Sequence, residues 1–392
     1  MTGKSVDLDA VVIGAGAVGL AIGRALSQSG LETLVVESQA RHGMGTSSRN
    51  SGVIHAGIYY SPGSHKANWC VRGKELLYAF CQSHQVAHRR LGKLIVGQDE
   101  DEAALHTIAS RAKDSGVTNL RWLTQNELHS MEPEVRARHA LFSPSTGIID
   151  VHELMLALEG DIEKTRGHVV MQSCFLNASA LGAHASQGWQ LNIQVGPNEI
   201  HKLTTQLLVN AAGLDADAVA RRIDGLASEY VPEVHFAKGN YASLSGSHPF
   251  KHLVYPAPVP GGLGTHLTLN IAGEAQFGPD VEWLGPADPH RLPGSTHPSL
   301  NYAVNTKQLA AFAGSVQRWW PSLQANRLQP GYSGIRPKLT KNAKDPAADF
   351  VLQGPNDHGL AGLINLFGIE SPGLTACLAI GEAVHLYAKT SA

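Results

Sequence analysis

The beginning of the chain carries the pattern that most restricts its fold. Ala10–Ile13 is a short, fully apolar run, typical of a parallel strand that is buried on both faces. It leads directly into Gly14–Gly19, which has the spacing G-x-G-x-x-G, and then into an apolar pattern of helical period that ends at Gly30. A second apolar strand, Thr33–Val36, is closed by Glu37. Strand, glycine turn, helix, strand and acid in this order predict a unit that binds a dinucleotide.

Each residue type in this unit has a physical reason. Gly14 permits the tight turn after the strand, Gly16 allows a pyrophosphate to approach the backbone, and Gly19 lets the helix pack against the strand. The N–H groups and the positive dipole at the start of the helix bind phosphates. Glu37 is placed to accept a hydrogen bond from a ribose 2′-hydroxyl, and an acid there disfavours the 2′-phosphate of NADP. The pattern alone leaves FAD and NAD as candidates.

Size and composition place this unit in a larger enzyme. A chain of 392 residues suggests two domains. Hydrophobic residues make up 43% and charged residues 16%, so the chain can bury a large core and disorder is excluded. The net charge of −2 argues against a nucleic-acid partner. Because Cys70, Cys81, Cys174 and Cys377 lie far apart, we expect neither a disulfide framework nor a metal site.

The longest apolar run, 10–22, bears on the location of the protein. It is too short to span a bilayer, and Asp7 and Asp9 before it are wrong for the basic start of a signal peptide. We therefore expect a soluble protein of a reducing compartment, without a transmembrane segment. The predicted location is cytoplasmic, or peripheral to a membrane if the electron acceptor is a quinone.

A resemblance decides between the two dinucleotides. Gly45–Tyr60 (GTSSRNSGVIHAGIYY) resembles the flavin loop of the D-amino-acid-oxidase-like FAD-dependent oxidoreductases, closest to the branch of L-2-hydroxyglutarate and glycerol-3-phosphate dehydrogenases. Three further segments resemble motifs of that superfamily: its re-entry into the FAD domain, its buried strand with a glycine turn, and its closing flavin motif. These are Ser143–Asp150, Leu207–Gly213 and Leu366–Thr375. The resemblance covers nearly the whole chain and is weak only over residues 281–330.

The resemblance implies an α/β fold with a discontinuous Rossmann-like FAD-binding domain and a mixed-sheet α+β substrate domain. Residues 1–88, 145–228 and 330–392 would form the FAD-binding domain, and residues 89–144 and 229–329 the substrate domain.

Local patterns predict individual elements within this layout. In the substrate domain we expect three strands, a helix and a surface loop: Phe236–Leu244, Leu253–Tyr255 and Gly264–Ile271 as strands, 306–319 as the helix and Asp288–Pro298 as the loop. In the FAD-binding domain we expect a strand at Val169–Phe175 that passes the adenine, and a helix that starts after Pro372. The N–H groups of that helix would face the flavin edge and stabilise the anionic reduced ring.

FAD is thus the expected cofactor. Some relatives tether it covalently through a histidine in a similar loop, for which His55 would be the candidate, but we expect a non-covalent complex. The residues predicted to contact FAD lie in the glycine turn, the acid that follows it, the flavin loop, the buried strand end and the closing motif. They are Ile13, Gly14, Ala15, Gly16, Ala17, Val18, Gly19, Glu37, Ser38, Thr46, Ser47, Ser48, Asn50, Ser51, Gly52, Val53, Phe175, Ala211, Ala212, Gly213, Arg336, Gly368, Ile369, Glu370, Ser371, Pro372, Gly373 and Leu374.

The flavin carries the hydride, so the protein must hold the substrate and, for an alcohol, accept the hydroxyl proton. Arg336 lies in a segment that resembles the G-x-R-P motif of the superfamily, whose arginine meets the substrate carboxylate or the flavin edge. A planar guanidinium suits a carboxylate because two parallel hydrogen bonds fix its orientation. Lys338 is a candidate for a second acidic group. His55, in the flavin loop, and His266, on a predicted strand, are the candidate bases, since an imidazole can take a proton near neutral pH.

Tyr241 and Tyr255 complete the predicted substrate pocket. Three functions remain open at this point. The first is FAD-dependent oxidation of a small L-2-hydroxy acid, similar to 2-hydroxyglutarate, to the 2-oxo acid. The second is oxidation of an amino acid or N-methylglycine, which needs the same arginine but no strong base. The third is a non-catalytic electron-transfer flavoprotein. The electron acceptor (oxygen, a quinone or a protein) is not specified by the sequence.

Overall fold

The computed structural model describes residues 6–258, 264–288, 290–294 and 300–390. Its strands are β1 (Leu8–Ile13), β2 (Thr33–Val36), β3 (Val53–Ile54), β4 (His88–Arg89), β5 (Lys93–Gly97), β6 (Arg121–Trp122), β7 (His139–Ser143), β8 (Gly147–Ile149), β9 (Gly167–Val170), β10 (Ser173–Ala180), β11 (Trp189–Val195), β12 (Glu199–Asn210), β13 (His235–Leu244), β14 (Leu253–Pro256), β15 (Leu267–Leu269), β16 (Ala275–Phe277), β17 (Glu282–Pro286), β18 (Leu328–Lys338), β19 (Val351–Gln353) and β20 (Leu363–Phe367). Its α-helices are α1 (Ala17–Gln28), α2 (His65–His84), α3 (Glu102–Asp114), α4 (Gln125–Met131), α5 (Val151–Glu163), α6 (Ala216–Ala220), α7 (Gln308–Gln317), α8 (Pro355–His358) and α9 (Gly373–Thr390).

The first sheet is built on five parallel strands in the order β9, β2, β1, β12, β20. An antiparallel pair, β10 and β11, continues from the first half of β12, and β19 pairs antiparallel with β20. The predicted β1–α1–β2 unit lies at the centre of this sheet. This arrangement confirms the α/β fold class.

The apolar composition of β1 follows from its position. Ala10 and Val12 contribute to a core under the helices, whereas Val11 and Ile13 face a second core that contains Trp189. A strand covered on both faces needs apolar side chains at every position rather than at alternate ones. The helix α1 packs between α5 and α9, so segments from both ends of the chain stabilise the central strand.

The second sheet has nine strands in the order β17, β13, β16, β15, β14, β5, β7, β6, with β18 also paired to β13. One of its faces is covered by α7, which contributes Phe312 and Val316 to a core with Trp319 and Trp320. The predicted strands Phe236–Leu244 and Leu253–Tyr255 and the helix at 306–319 correspond to β13, β14 and α7.

The strand predicted at Val169–Phe175 is wrong. Two strands of the same sheet, β9 and β10, divide this segment at Met171 and Gln172. Gln172 has a φ of +51°, a left-handed conformation that ends β9 and redirects the chain. The β9 strand then pairs with β2 at one side of the sheet, while β10 pairs with β11 at the other.

Two expectations in the second sheet also need correction. The strand predicted at Gly264–Ile271 is confined to β15. The segment Asp288–Pro298 was expected to be a surface loop; Pro289 and residues 295–298 are not described. Within the described part, Arg291 is only 4% exposed, so this segment does not simply run over the surface.

The first sheet is built from segments predicted to form the FAD-binding domain, and the second sheet mainly from segments predicted to form the substrate domain. The predicted boundary between residues 329 and 330 falls inside β18, which pairs with β13 along Leu328–Lys338. We therefore propose that the second domain continues to about residue 338, and the remaining boundaries stay predictions.

Candidate active site

Four parallel strands of the first sheet end at one cleft. The segments that follow β1, β2, β12 and β20 begin with Gly14, Glu37, Ala211 and Gly368, and the first three of these residues line a cavity of about 380 Å³. Ligands of open α/β sheets bind at the carboxyl ends of the strands, because the loops and helix N-termini that follow them meet there. The cavity therefore lies where the glycine turn predicts a dinucleotide.

Two glycines of the turn, Gly14 and Gly19, have no room for a side chain. Gly14 has a φ of +103°, and a Cβ there would lie 2.7 Å from the carbonyl oxygen of Ala211. A Cβ on Gly19 would lie 1.8 Å from the carbonyl oxygen of Gly14, so helix and turn are in direct backbone contact. Gly16 borders the cavity, and the hydroxyl oxygen of Ser47 beside it accepts the N–H of Ala17 at 3.0 Å. The backbone of the turn is thus open to a ligand.

Glu37 is held rigidly at the end of this cavity. Its Oε2 accepts the N–H of Ala15 at 2.9 Å, and its Oε1 accepts the N–H of Gln39 at 2.9 Å and the hydroxyl of Ser38 at 3.2 Å. The side chain lines the cavity and Oε2 accepts only one of these bonds, so its second lone pair can still accept from a ribose hydroxyl.

A segment that follows β17 closes the same cavity. Pro293 and Gly294 line it, and the guanidinium of Arg291 anchors them by ion pairs to Asp215 and Asp217. The N–H of Gly294 also donates to Asp215 at 2.9 Å. Within its described part, the predicted surface loop thus contributes Pro293 and Gly294 to the wall of the cleft, whereas Asp288, His290 and Leu292 are exposed.

A second cavity, of about 190 Å³, continues from the first. Five residues line both: Val18, Thr46, Ser47, Arg49 and Ile369. The second cavity extends between the flavin-loop segment, the second sheet and the start of α9. One end of the combined cleft thus holds the glycine turn, and the other holds the predicted substrate residues.

His55 lines the second cavity and is neutral there. Burial lowers its pKa to about 3, and the positive charge of Lys93 adds to the effect. Its Nε2 lies 3.4 Å from the Ser371 hydroxyl, its Nδ1 has no hydrogen-bond partner among the described residues, and its backbone N–H donates to Thr375 at 2.9 Å. A neutral imidazole beside a cavity can accept a proton.

The opposite wall is aromatic. His266 stacks on Tyr255 with ring centroids 3.5 Å apart, and Tyr241 stacks on Tyr332 at 4.4 Å. His266, Tyr241 and Tyr255 all line the cavity. Tyr332 donates its hydroxyl to the carbonyl of Asn50 at 2.8 Å, which ties this wall to the flavin-loop segment.

Arg336 lines the second cavity from β18. Its Nη2 donates to the carbonyl oxygens of Asp280 at 2.8 Å and Lys238 at 3.4 Å. Among the described residues these are its hydrogen bonds, so Nε and Nη1 remain for a ligand. A guanidinium fixed in this way can donate a charge-assisted hydrogen bond to a carboxylate.

Lys338 is engaged elsewhere. Its Nζ lies 2.7 Å from Oε2 of Glu370, whose Oε1 pairs with Lys66 at 3.1 Å. The two ammonium groups hold the pKa of the buried Glu370 below its usual value, although burial, the largest effect, opposes them. Glu370 lines the cavity and Lys338 does not, so the structure does not place Lys338 where it would bind a second acidic group.

Most of the predicted cofactor residues border the two cavities. Four do not: Ala15, Ser48, Gly52 and Gly368. Ala15 is buried and uses its N–H on Glu37, and Ser48 is exposed. Gly52 and Gly368 have φ values of +62° and +66°, so they shape the turns that present their neighbours.

Several lining residues were not predicted. Arg49 lies within the quoted flavin-loop motif, where a cation among hydroxyl residues is a usable signal; its guanidinium covers the ring of Tyr302 at 4.0 Å. Pro293 and Gly294 had no local signal, because only their long-range anchor brings them to the cleft.

The fold and the cleft define a dinucleotide-dependent oxidoreductase with a substrate cavity beside its cofactor site. The chain belongs to the DAO family of FAD dependent oxidoreductases, whose sequence profile matches residues 9–385. It is 42% identical to "L-2-hydroxyglutarate dehydrogenase, mitochondrial" of Arabidopsis thaliana, over 96% of this chain and 82% of that protein. It is 30% identical to the protein of the same name from Caenorhabditis elegans, over 97% and 94%.

The solved structure of L-alpha-glycerophosphate oxidase from Mycoplasma pneumoniae, with FAD bound, shares the fold. It superposes with a TM-score of 0.82 over 97% of this chain and 94% of that one, at 21% identity. FAD is the cofactor of the family, and the cleft fits it: the glycine turn is open at Gly16, and the two cavities are neighbours that share five lining residues. The predicted resemblance and cofactor are confirmed.

The predicted cytoplasmic location is wrong. The relatives from Arabidopsis thaliana and Caenorhabditis elegans are named as mitochondrial proteins. Composition does not distinguish between two compartments that both keep thiols reduced. Across the described residues, the structure contains no helix of the length and hydrophobicity that crossing a bilayer requires.

Proposed function

We propose that this protein oxidises L-2-hydroxyglutarate, or a closely similar L-2-hydroxy acid, to the 2-oxo acid. The observation that carries the proposal is the joint placement of Arg336 and neutral His55 in one cavity beside the cofactor cleft. Oxidation of a hydroxy acid needs a group that binds the carboxylate and a group that accepts the hydroxyl proton. Oxidation of an amino acid needs only the group that binds the carboxylate. The names of the two curated relatives support the choice of substrate.

The protein groups have separate tasks in this reaction. Arg336 would hold the α-carboxylate through an N–H group that its bonds to Asp280 and Lys238 leave unused, and so fix the orientation of the carbon that is oxidised. His55 would accept the hydroxyl proton, and Nε2, the nitrogen that lies beside Ser371, is the atom we expect to take it. Bound FAD supplies the acceptor for the hydride. An anionic substrate beside His55 raises the pKa of the imidazole and makes it a stronger base than in the free enzyme.

The surrounding groups favour a fixed geometry. The stacked pairs of His266 with Tyr255 and of Tyr241 with Tyr332 form a wall that limits the volume and excludes water. We propose that this wall positions the substrate and the cofactor and does not take part in the reaction. We propose the same for the guanidinium of Arg49 and the Tyr302 ring beneath it. The positioning role proposed for these aromatic residues and for Arg49 is thus based on where they lie in the cleft.

An anaerobic substrate screen tests the proposed function. Purified holoenzyme is mixed with L-2-hydroxyglutarate, its D enantiomer, glycerol 3-phosphate, glycine and N-methylglycine, and the visible flavin absorbance is followed. We expect that, of these compounds, only L-2-hydroxyglutarate bleaches the flavin rapidly. Faster bleaching by an amino acid would instead identify an amine oxidase, and a flavin that no small acid reduces would support an electron-transfer protein.

A further inference from the structure

Lys93 is a buried cation that the reaction described above does not use. It is the first residue of β5 and is 0% exposed. Its Nζ lies 4.5 Å from the ring centroid of Tyr59 and 4.5 Å from that of Tyr255, and it has no hydrogen-bond partner among the described residues. Aromatic faces attract a cation, but they replace little of its hydration. A buried amine of this kind is rare and calls for an explanation.

The amine lies just behind the wall of the substrate cavity. Tyr255 contacts Lys93 with its ring and also lines the cavity, where it stacks on His266. His55 lines the same cavity, and its pKa is lowered by the charge of Lys93. One aromatic ring therefore separates the ammonium group from the space in which the substrate would bind.

The groups around Lys93 do not neutralise it. Tyr59 and Tyr255 are neutral because burial raises their pKa well above the usual value, and burial raises the pKa of Cys70 to about 12. His55 is neutral as well. Burial among these groups lowers the pKa of Lys93 to about 7, so its charge is marginal near neutral pH. An anion placed in the cavity would be the counter-charge that Lys93 lacks.

We propose that Lys93 is a positioning residue whose ammonium group, held between Tyr59 and Tyr255, attracts the carboxylates of an acidic substrate into the cavity. This inference rests on the proposed function, since it requires an anionic ligand. Binding and protonation are linked: an anion in the cavity favours the ammonium form, and the ammonium form favours the anion by the same factor. The proton comes from solvent, and Lys93 does not contact the reacting atoms.

Glutarate provides a test that is independent of turnover, because it has both carboxylates but no hydroxyl group to oxidise. Its dissociation constant for the holoenzyme is read from the flavin spectrum between about pH 6 and about pH 9, a range that spans the titration of a lysine with a strongly lowered pKa. For the native enzyme we expect affinity to fall by up to about tenfold per pH unit above neutrality, the limit for one linked proton. Calorimetry in two buffers should show proton uptake when glutarate binds.

Two variants separate charge from structure. Lys93→Met should bind glutarate about tenfold more weakly than the native enzyme in the acid range, the scale of one charge acting through a partly polar interior. Its affinity should depend little on pH. Lys93→Arg keeps its charge and should retain tight binding at the alkaline end. The unfolding temperature of Lys93→Met should be unchanged or higher, because an unpaired buried charge is removed.

Each outcome has a separate meaning. If Lys93→Met binds glutarate like the native enzyme and with the same pH dependence, the inference is overturned. It is also overturned if the native enzyme takes up no proton on binding near about pH 8, above the lowered pKa, a measurement that needs no variant. If no dicarboxylate perturbs the flavin of the native enzyme and L-2-hydroxyglutarate does not reduce it, the proposed function itself is what fails.

Discussion

Replacing Arg291 by methionine tests whether its ion pairs hold the wall of the cofactor cleft in place. Methionine keeps the length and apolar character of the stem but removes the guanidinium. Asp217 would then lose a bidentate partner, at 3.1 Å for Nη1 and at closer range for Nη2, while Asp215 would lose a contact of 3.2 Å. Gly294, which donates to Asp215, would lose its support.

The expected magnitude follows from burial. The side chains of Arg291 and Asp217 are each 2% exposed, so the variant leaves a carboxylate buried without its cation. Breaking a buried pair in this way costs about 3–5 kcal/mol. Arg72 offers a matched control, because it also makes two hydrogen bonds to one carboxylate, that of Glu382, but with side chains 59% and 45% exposed. Removing a surface pair costs about 0–1 kcal/mol.

Thermal unfolding and FAD retention after gel filtration measure the two consequences. We expect Arg291→Met to unfold several degrees below Arg72→Met and to lose FAD more readily, since Pro293 and Gly294 line the cofactor cavity. The double variant Arg291→Met with Asp217→Leu should recover part of the stability, because it also removes the unpaired carboxylate. Equal unfolding temperatures and equal FAD retention for the two single variants would refute the reasoning.

Three further expectations concern the cofactor and the substrate. Gly16→Val should purify without FAD, because its branched side chain would enter the cavity beside Ser47; visible absorbance measures the loss, and full retention would contradict it. Residues 1–228 alone should not form a stable holo-protein, because α9 and β20 come from the far end of the chain; FAD binding to the fragment at native affinity would contradict this. Arg336→Met should raise KM strongly and lower kcat as well, with a loss of about 3–5 kcal/mol in kcat/KM; unchanged steady-state kinetics with L-2-hydroxyglutarate would exclude the clamp.

The sequence correctly predicted those elements whose pattern lies within one short stretch of the chain. The β1–α1–β2 unit combines an apolar run, a glycine spacing and a helical period within one short stretch, and α9 begins at Gly373 directly after the predicted Pro372. By contrast, Gln172 carries no signal for its left-handed φ of +51°, because glutamine is not among the residue types that favour this conformation. Residue pattern therefore located the strands but could not divide one predicted strand into two.

In the candidate site, too, local patterns did not predict contacts between residues that are far apart in the chain. Motif residues such as Gly16 and Glu37 could be placed because each has a role within one unit. Arg291 lies 74 residues from Asp217 in the chain, and nothing near either residue predicts their pairing. Lys93 precedes an apolar run and resembles the polar end of a strand, and only its packing against Tyr255 reveals a buried amine.

The identity of the base is the last prediction. From sequence, His55 and His266 were equal candidates, and an ordinary imidazole would make the rate rise near neutral pH. The structure changes this expectation for His55, since burial and Lys93 lower its pKa to about 3. A base is active in its deprotonated form, and kcat/KM reports the free enzyme. If His55 is the base, kcat/KM should therefore not decline as the pH falls from about 7 to about 5, whereas a base with the ordinary pKa of about 6.5 would make it decline.

Variants make this assignment decisive. His55→Ala should lower the rate of flavin reduction by roughly 10²–10⁴-fold, the usual contribution of a general base, while glutarate still binds. His266→Phe keeps a ring stacked on Tyr255 and serves as the matched control, with a much smaller loss. In Lys93→Met any decline on the acid side should move toward neutral pH, because the charge that lowers the pKa of His55 is gone. A native decline near neutrality that His55→Ala retains would assign the base to another group, with His266 the first to test.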